Sequence, residues 1–276
     1  MESELGSALF VRHGRGMVLT DFGRDVLKPA SDILLKIDEI RQLGVARQRS
    51  HEGLVRFGMP PTLAEVMTVP LTSAVRENHP RLALRINAAF SGHLLDWLKR
   101  AELDCCVCYD PENSPILRTR PILQEQLFLV GGAGQGLSLD RTVPFRSLQY
   151  EPLILPSSHH GLRPIIDMCA DRCGVTLSAV VEVDAFGAMI ELVRSGFGYT
   201  IMSLAPVHHQ VLSGILTAAP LVDPSPSRRL VIAFPADRSV TPAARYIGDT
   251  FAALTKSLVE RDILPGRILR DSTPLA

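Results

Sequence analysis

The spacing of apolar residues near the start of the chain predicts one long amphipathic helix over residues 20–49. Its apolar row recurs at alternating intervals of four and three and consists of Val26, Ala30, Ile33, Ile37, Ile40 and Gly44. A heptad row of this kind is typical of a coiled-coil seam, so we predict that all of its members except the glycine mediate dimerisation. The alternative is that the row packs on the helix's own domain. Pro29 lies inside the helix and is expected to bend it.

After a polar hinge at residues 46–53, short apolar runs alternate with amphipathic helical patterns. The first strands are predicted at residues 54–59, 82–87 and 104–109, with helices at 62–78 and 93–102. The second set has strands at 126–131, 152–156, 179–183 and 199–204, with helices at 161–173, 185–195 and 205–212. A strand at 229–234 and a helix at 242–260 end the pattern, and the tail after Pro265 is expected to be loosely ordered.

This alternation predicts an α/β protein whose parallel sheets are covered by helices. Two similar units followed by a return segment indicate two lobes joined by two crossovers. Lobe I would comprise residues 53–125 and 229–262, lobe II residues 126–228, and residues 263–276 would form the tail. Because open α/β sheets bind ligands at the carboxyl ends of their strands, we expect a cleft where the lobes face each other.

Three predicted helix starts face this cleft, at residues 60–65, 156–159 and 184–186. Thr62 and Glu65 have the spacing of a capping box, and Asp184 is the expected N-cap of the third helix. Each start therefore has a purely structural explanation. The alternative is that the free N–H groups bind an anion, and three such starts after successive strands favour a small-ligand cleft.

Composition and charge limit the class of protein. A chain of 276 residues with 46% hydrophobic content is long enough for more than one compact unit. The 29 basic residues balance 29 acidic ones, so no global positive field attracts nucleic acid. The first residues are polar and no apolar run approaches the roughly 20 residues that span a bilayer, so we predict a soluble, cytoplasmic protein without a membrane partner.

Side chains that could carry chemistry form no recognised catalytic or metal motif. Cys105, Cys106 and Cys108 lie in a predicted buried strand, and Cys169 and Cys173 share a helical face, so reduced buried thiols are expected and a redox switch is the alternative. The glycine-rich residues 131–136 lack the G-K-[ST] ending of a phosphate-binding loop, and no G-x-S-x-G or H-E-x-x-H motif occurs. We predict no metal, no cofactor and no enzymatic activity.

Residues 9–20 have the pattern of a short hairpin with a basic tip. Apolar pairs stand at both ends, and Gly14 and Gly16 between them permit a tight reversal. The cations of the tip are Arg12, His13 and Arg15. Such a tip suits contact with DNA phosphates, and an ordinary polar hairpin is the alternative.

Several motifs fall in an order that points to one family. Residues 4–12 read E-L-G-S-A-L-F-V-R and are followed by G-R-G at 14–16 and L-T at 19–20. Later matches are H-P at 79–80, L-D at 103–104, E-V-D at 182–184 and L-V-x-x-G-x-G at 192–198. On these residues the chain resembles the LysR-type transcriptional regulators from residue 1 to about 260. P-S at 156–157 and H-G-L-R at 160–163 are similar to the nitrogen-assimilation-control type.

The resemblance implies a winged helix-turn-helix, a dimerising linker helix and a periplasmic-binding-protein-like effector domain. Residues 1–19 would hold the end of the recognition helix and the wing, and residues 20–50 the linker. The implied effector contacts in the cleft are Pro60, Thr62, Ser91, Ser158, Phe186 and Tyr199. We therefore predict a DNA-binding regulator, dimeric or tetrameric, that responds to a small-molecule effector. Because most of the recognition helix would precede Glu2, the alternative is a truncated ligand-sensing, dimerising module without specific DNA binding of its own.

Overall fold

The first part of the chain forms a hairpin and one long helix. The computed structural model describes residues 2–13, 16–46, 52–111 and 114–269. The chain begins with α1 (Glu2–Leu5), β1 (Phe10–His13), β2 (Gly16–Leu19) and α2 (Asp21–Ala46). The two strands pair antiparallel, with Phe10 opposite Leu19. The predicted hairpin and helix are present, whereas Gly14, Arg15 and residues 47–50 lie outside the described residues.

Thr20 fastens the hairpin to α2. Its Oγ1 donates to the carbonyl of Ala8 at 2.7 Å and accepts from the backbone N–H of Gly23 at 2.8 Å, which caps the helix. A Cβ atom on Gly23 would stand 2.1 Å from the carbonyl oxygen of Leu9, so only glycine allows this approach. The start of α2 is therefore fixed by contacts with the hairpin.

Lobe I contains β3 (Gly53–Met59), α3 (Pro61–Asn78), β4 (Leu82–Ala88), α4 (Ser91–Lys99) and β5 (Cys105–Tyr109). Strand β3 lies between β4 and β5 and is parallel to both, as the strand order predicted. The buried residues of α3 recur at every fourth position and are Leu63, Met67, Leu71 and Val75. This spacing gives the helix one apolar face, which packs in the core that also holds Phe57.

The chain then enters lobe II. Its elements are β6 (Leu117–Gly132), β7 (Val143–Pro144), β8 (Leu153–Leu155), α5 (Arg163–Cys173), β9 (Ala179–Glu182), α6 (Phe186–Arg194), β10 (Thr200–Ser203), α7 (His208–Leu212) and β11 (Leu216–Val222). Two 3-10 helices, Phe145–Tyr150 and Ala205–Val207, connect some of them. The predicted helix at 205–212 is therefore wrong in its first turn, and β11 was missed because Pro220 interrupts its apolar pattern.

The return segment consists of β12 (Ser227–Pro235), α8 (Pro242–Glu260) and β13 (Gly266–Ile268). Strand β13 pairs antiparallel with β6, so the expectation of a loosely ordered tail is wrong for these three residues. Gly266 makes the pairing possible, since a Cβ there would stand 2.5 Å from the carbonyl oxygen of Gln124. Residues 270–276 lie outside the described residues.

The central sheet is mixed rather than parallel, which corrects the prediction. Strand β12 lies between β5 and β6 and is antiparallel to both. Strand β6 starts at Leu117 rather than near residue 126. Its first half was missed in the prediction because charged residues such as Arg118 and Arg120 break the apolar pattern there. As a result, β6 runs through both predicted lobes. The predicted boundary between residues 125 and 126 falls inside β6, and the one between residues 228 and 229 falls inside β12.

Separate apolar clusters hold the two lobes. In lobe I the faces of the sheet are covered by α3 with α8 and by α4, and in lobe II by α5 and α6. Cys105, Cys106 and Cys108 of β5 are fully buried in the lobe I clusters. Within the described ranges, no helix has the length and apolar character that a membrane crossing requires.

Candidate functional site

A cavity of about 530 Å³ lies where the two lobes face each other. Lobe I contributes the residues that follow β3 and β4 and the end of β5, lobe II contributes the segments after β8 and β9 and part of β10, and β12 contributes Arg228. The lining residues are Pro60, Pro61, Thr62, Phe90, Ser91, Gly92, Tyr109, Asp110, Pro156, His159, His160, Gly161, Leu162, Asp184, Ala185, Phe186, Met189, Met202, Ser203 and Arg228. The cavity therefore occupies the carboxyl ends of the parallel strands, where α/β folds bind ligands.

Four helices begin at this cavity without a side-chain cap. The N-cap residues of α3, α4, α5 and α6 are Pro60, Phe90, Leu162 and Ala185, and none of them accepts a capping hydrogen bond. By contrast, Thr241 caps α8, which starts elsewhere, by accepting from the N–H of Ala244. Uncapped N–H groups and the positive end of the helix dipole favour negative charge. The starts of four helices thus make this cavity suited to an anionic group.

Two of the predicted helix starts differ from the structure. The expected capping box of Thr62 and Glu65 is wrong, because neither side chain caps α3. Asp184 is not an N-cap but accepts hydrogen bonds from Ser157, at 2.9 Å from its backbone N–H and at 2.9 Å from its hydroxyl. These bonds, led by the one from the backbone, lower the pKa of Asp184. Asp184 thereby ties the end of β8 to the end of β9.

The third predicted helix start, at residues 156–159, is also wrong. Helix α5 begins later, at Arg163, and the intervening residues form turns that border the cavity. Arg163 holds this segment, since its side chain donates to the carbonyl of Pro156 at 3.0 Å and to Glu182 at 2.7 Å. The loop after β8 is therefore a structured wall of the cavity.

Four side chains that the sequence did not single out form the polar centre of the site. Arg228, only 5% exposed, donates from Nε to Oε2 of the fully buried Glu125 at 2.6 Å. The other carboxylate oxygen of Glu125 accepts from the Ser203 hydroxyl at 2.6 Å. The guanidinium carbon of Arg228 lies 3.5 Å from the centre of the Tyr109 ring, a cation–π contact.

Tyr109 adds a second polar group to this centre. Its hydroxyl is buried and has no hydrogen-bond partner among the described residues. Burial raises the pKa of Tyr109 well above its ordinary value; the positive charge of Arg228 lowers it, Glu125 raises it, and the nearby Thr62 lowers it. The hydroxyl therefore stays protonated at neutral pH and keeps a donor.

Phe90 and His160 meet across the cavity. The rings, one from each lobe, lie edge to face with centroids 4.6 Å apart. Nδ1 of His160 accepts from the backbone N–H of Leu162 at 3.1 Å. Burial, and then the positive charge of Arg228, lower the pKa of His160, so the ring is neutral near pH 7. This contact joins the lobes without adding charge to the site.

The structure brings four of the six predicted effector contacts together, namely Pro60, Thr62, Ser91 and Phe186. Ser91 is partly engaged, because its Oγ accepts from the backbone N–H of Tyr109 at 3.0 Å. Ser158 is exposed and Tyr199 packs in the core of lobe II, and neither lines the cavity. The residues that sequence reasoning missed, Arg228 and Glu125 above all, had no motif around them.

The residues predicted for DNA contact and dimerisation lie in the first part of the chain. Arg12 is exposed on β1, whereas the side chain of His13 and all of Arg15 are outside the described structure. On α2, Val26 and Ala30 are half-buried and Ile33 is 61% exposed. The side chains of Ile37 and Ile40 are likewise outside the described structure.

The cysteines are all unpaired, and four of the five are buried. Burial raises the pKa of the Cys105 thiol far above its ordinary value, and burial also raises the pKa of Cys169. Thiols of this kind are weak nucleophiles, because the thiolate is the reactive form. In the described ranges, no group of three or more His, Cys, Asp or Glu side chains is arranged to hold a metal ion.

Comparison with known proteins places this chain in a family. Residues 48–256 match the family described as LysR substrate binding domain. The chain belongs to the LysR family. It is thus a LysR-type transcriptional regulator with an effector-binding domain, which confirms the resemblance, the fold class and the general function expected from the sequence.

Relatives of this LysR-type regulator align over most of its length. The HTH-type transcriptional regulator BbuR of Bordetella bronchiseptica is 28% identical over 266 residues, which cover 96% of this chain and 82% of BbuR. The nitrogen assimilation regulatory protein nac of Escherichia coli is 27% identical over 270 residues, covering 94% of this chain and 84% of nac. A mutant of OxyR from Corynebacterium glutamicum shares the fold, with a TM-score of 0.69 at 22% identity over 94% of this chain and 82% of OxyR.

Proposed function

We propose that this regulator binds operator DNA as a dimer or tetramer and that a small molecule held in the cavity between its lobes controls that binding. The observation that carries the proposal is the convergence of four uncapped helix starts, those of α3, α4, α5 and α6, on one cavity at the strand ends. Pro60, Thr62, Ser91 and Phe186 are the proposed effector contacts. Lobe I and lobe II, as delimited from the sequence, are the proposed moving units, and the cytoplasm is the proposed location.

A ligand in this cavity contacts both lobes, since residues of each line it. Such a ligand binds most tightly when the lobes are close, so binding shifts the population toward the closed arrangement. The change would reach DNA through α2, which connects the lobes to the hairpin. The proposed phosphate contacts on the hairpin are Arg12, His13 and Arg15. The proposed dimer contacts are Val26, Ala30, Ile33, Ile37 and Ile40.

Thermal unfolding in the presence of a library of charged and neutral metabolites tests the cavity. A compound present at 100 times its Kd stabilises the native protein by about 2.7 kcal/mol, so at least one compound should raise the Tm by several degrees. The variant Phe186→Trp puts a larger ring into the cavity and should abolish this increase. Phe197→Trp is the matched control, because Phe197 is exposed and does not line the cavity.

The proposed effector site is rejected if no compound raises the Tm, or if Phe186→Trp responds to the active compounds as the unmodified protein does. A loss of response in Phe197→Trp as well would indicate an indirect effect of the larger ring. Compounds that pass this test can then be added to DNA-binding measurements to ask whether they change operator affinity.

A further inference from the structure

We propose that the effector carries a carboxylate group and that Arg228 is its anchor. The inference deepens the proposed function and rests on it, since it requires a ligand in the cavity between the lobes. It is carried by the state of the Arg228 guanidinium, which is buried, held in place by neighbours, and incompletely hydrogen-bonded.

The position of the Arg228 guanidinium is fixed from two sides. Its Nε donates to Glu125, whose second oxygen is occupied by the Ser203 hydroxyl, so the carboxylate cannot rotate away. The Tyr109 ring covers one face of the guanidinium at 3.5 Å. A planar donor held in this way loses little further freedom when it binds a ligand.

The two terminal nitrogens of Arg228 are available to a ligand. Among the described residues, the Arg228 side chain donates only from Nε, to Glu125, and Arg228 borders the cavity. Hydrogen bonds from a charged donor of this kind to a carboxylate are among the stronger ones in proteins. Two parallel N–H groups on one planar cation match the two oxygens of a carboxylate, which accept in the bidentate manner.

Neighbouring donors strengthen the match. The Tyr109 hydroxyl is buried without a partner among the described residues and stays protonated, so it can donate to an incoming oxygen. Thr62, in the first turn of α3, lies close to the same hydroxyl. The uncapped ends of α3, α4 and α6 add positive potential in the same cavity.

The charge balance favours one negative charge rather than two. The positive charge of Arg228 is already opposed by Glu125. Asp110 at the rim is engaged by Arg229, and the carboxylate of Asp184 in the lining accepts from Ser157. His160 is neutral near pH 7 and adds no positive charge. A doubly charged phosphate would therefore lie near acidic side chains, and the described lining holds no second arginine or lysine to balance its second charge. A monocarboxylate carries only one negative charge, which suits the donors around Arg228.

The rest of the cavity determines the body of the ligand. Apolar side chains from both lobes face it, namely Phe90, Phe186, Met189 and Met202. Aromatic and methionine side chains bind apolar rings and chains without strict geometry. The predicted effector is thus a small monocarboxylate with an apolar body.

Isosteric ligand pairs test the anchor on the full, unmodified chain. Benzoate, phenylacetate and hexanoate are each compared with the corresponding amide, and inorganic phosphate is included, by titration calorimetry at pH 7. We expect at least one carboxylate to bind ten-fold or more tightly than its amide, and phosphate to bind more weakly than that carboxylate. Equal affinity of acids and amides, tighter binding of phosphate, or no binding of any carboxylate overturns the proposal.

Two variants localise the preference to Arg228. Arg228→Lys keeps the charge but loses the planar pair of donors, so the ratio of acid to amide affinity should fall by about ten-fold. Because Arg228→Gln alone would leave Glu125 buried and unpaired, the second variant is Glu125→Gln with Arg228→Gln, which removes both charges. There the ratio should fall to about one while amide affinity is retained. An unchanged ratio in both variants rejects Arg228 as the anchor.

The results separate this inference from the proposed function. If amides bind as tightly as acids and Phe186→Trp blocks both, the effector cavity stands and the carboxylate anchor fails. If no acid, amide or library compound binds, both proposals fail. If acids bind preferentially but Phe186→Trp does not reduce their affinity, the carboxylate is bound outside the cavity and the anchor is rejected.

Discussion

The helices α2 and α3 both carry regular rows of apolar residues, but only the row of α3 is covered by the chain's own core. Leu63, Met67, Leu71 and Val75 of α3 are fully buried against the sheet and α8. On α2, Ile33 and Leu34 are 61% and 65% exposed. Two helices of similar pattern therefore differ in how their apolar side chains are covered. Those of α3 pack within the subunit, whereas α2 leaves apolar side chains exposed to solvent. This difference separates residues needed for stability from residues available for assembly.

The largest expected effect comes from breaking the covered row. Leu71→Ala should lower the free energy of unfolding by about 2–5 kcal/mol, because it removes buried methyl groups and leaves a cavity. Chemical denaturation followed by circular dichroism measures the decrease. The control is Val69→Ala on the same helix, which should change stability by less than about 0.5 kcal/mol because Val69 is 74% exposed. Similar decreases in both variants would mean that α3 is not packed as described.

A charge placed in the exposed row of α2 should weaken self-association rather than lower the free energy of unfolding. Ile33→Asp should weaken self-association by ten-fold or more, since it places a carboxylate in the predicted seam. Sedimentation velocity over a range of concentrations gives the dissociation constant, and the Tm at low concentration should stay the same. Ser31→Asp adds the same group to an exposed position two residues away. If Ile33→Asp leaves the mass of the particles unchanged, the seam does not hold the oligomer.

The smallest expected effect concerns the hairpin that α2 carries. Arg12→Ala should reduce the slope of log affinity against log salt by about 0.9 for each DNA phosphate that the hairpin no longer neutralises, measured by fluorescence anisotropy with duplex DNA. Arg81→Ala in lobe I is the control, because Arg81 is also exposed and basic but lies far along the chain from the hairpin. An equal change in slope for the two variants would argue against a specific role of the hairpin in DNA binding.

The sequence predicted the elements whose pattern is local. The strands β3, β4 and β5 and the helices α3 and α8 were placed within one residue at every end, because their apolar rows follow simple periods. It failed for β11 and β13 and for the first half of β6. These strands carry proline, glycine or charged residues and are held by pairing with distant strands, which no local pattern reveals.

The same limit applies to the candidate site. Thr62 and Phe186 lie at helix starts that follow strands, a position visible in the pattern, and the resemblance to the LysR family implied both of them together with Ser91. Arg228 and Glu125 are 103 residues apart and meet only because β12 pairs antiparallel with β6. Asp184 was expected to cap α6, but it binds Ser157, 27 residues away. A side chain's partner across the fold depends on register, and register cannot be read from the sequence.

By itself the sequence determined that this is a two-lobed α/β regulator of the LysR family with a hairpin and a long helix before the lobes. Periodic rows and ordered motifs encode those features, since the elements form from neighbouring residues. Only the tertiary structure decided which polar groups line the cavity and which of them lack a partner among the described residues. Packing of the lobes buries Arg228 beside Glu125 and Tyr109 and leaves its outer nitrogens open. Burial and long-range pairing are properties of the assembled fold, so they appear only when the lobes are in place.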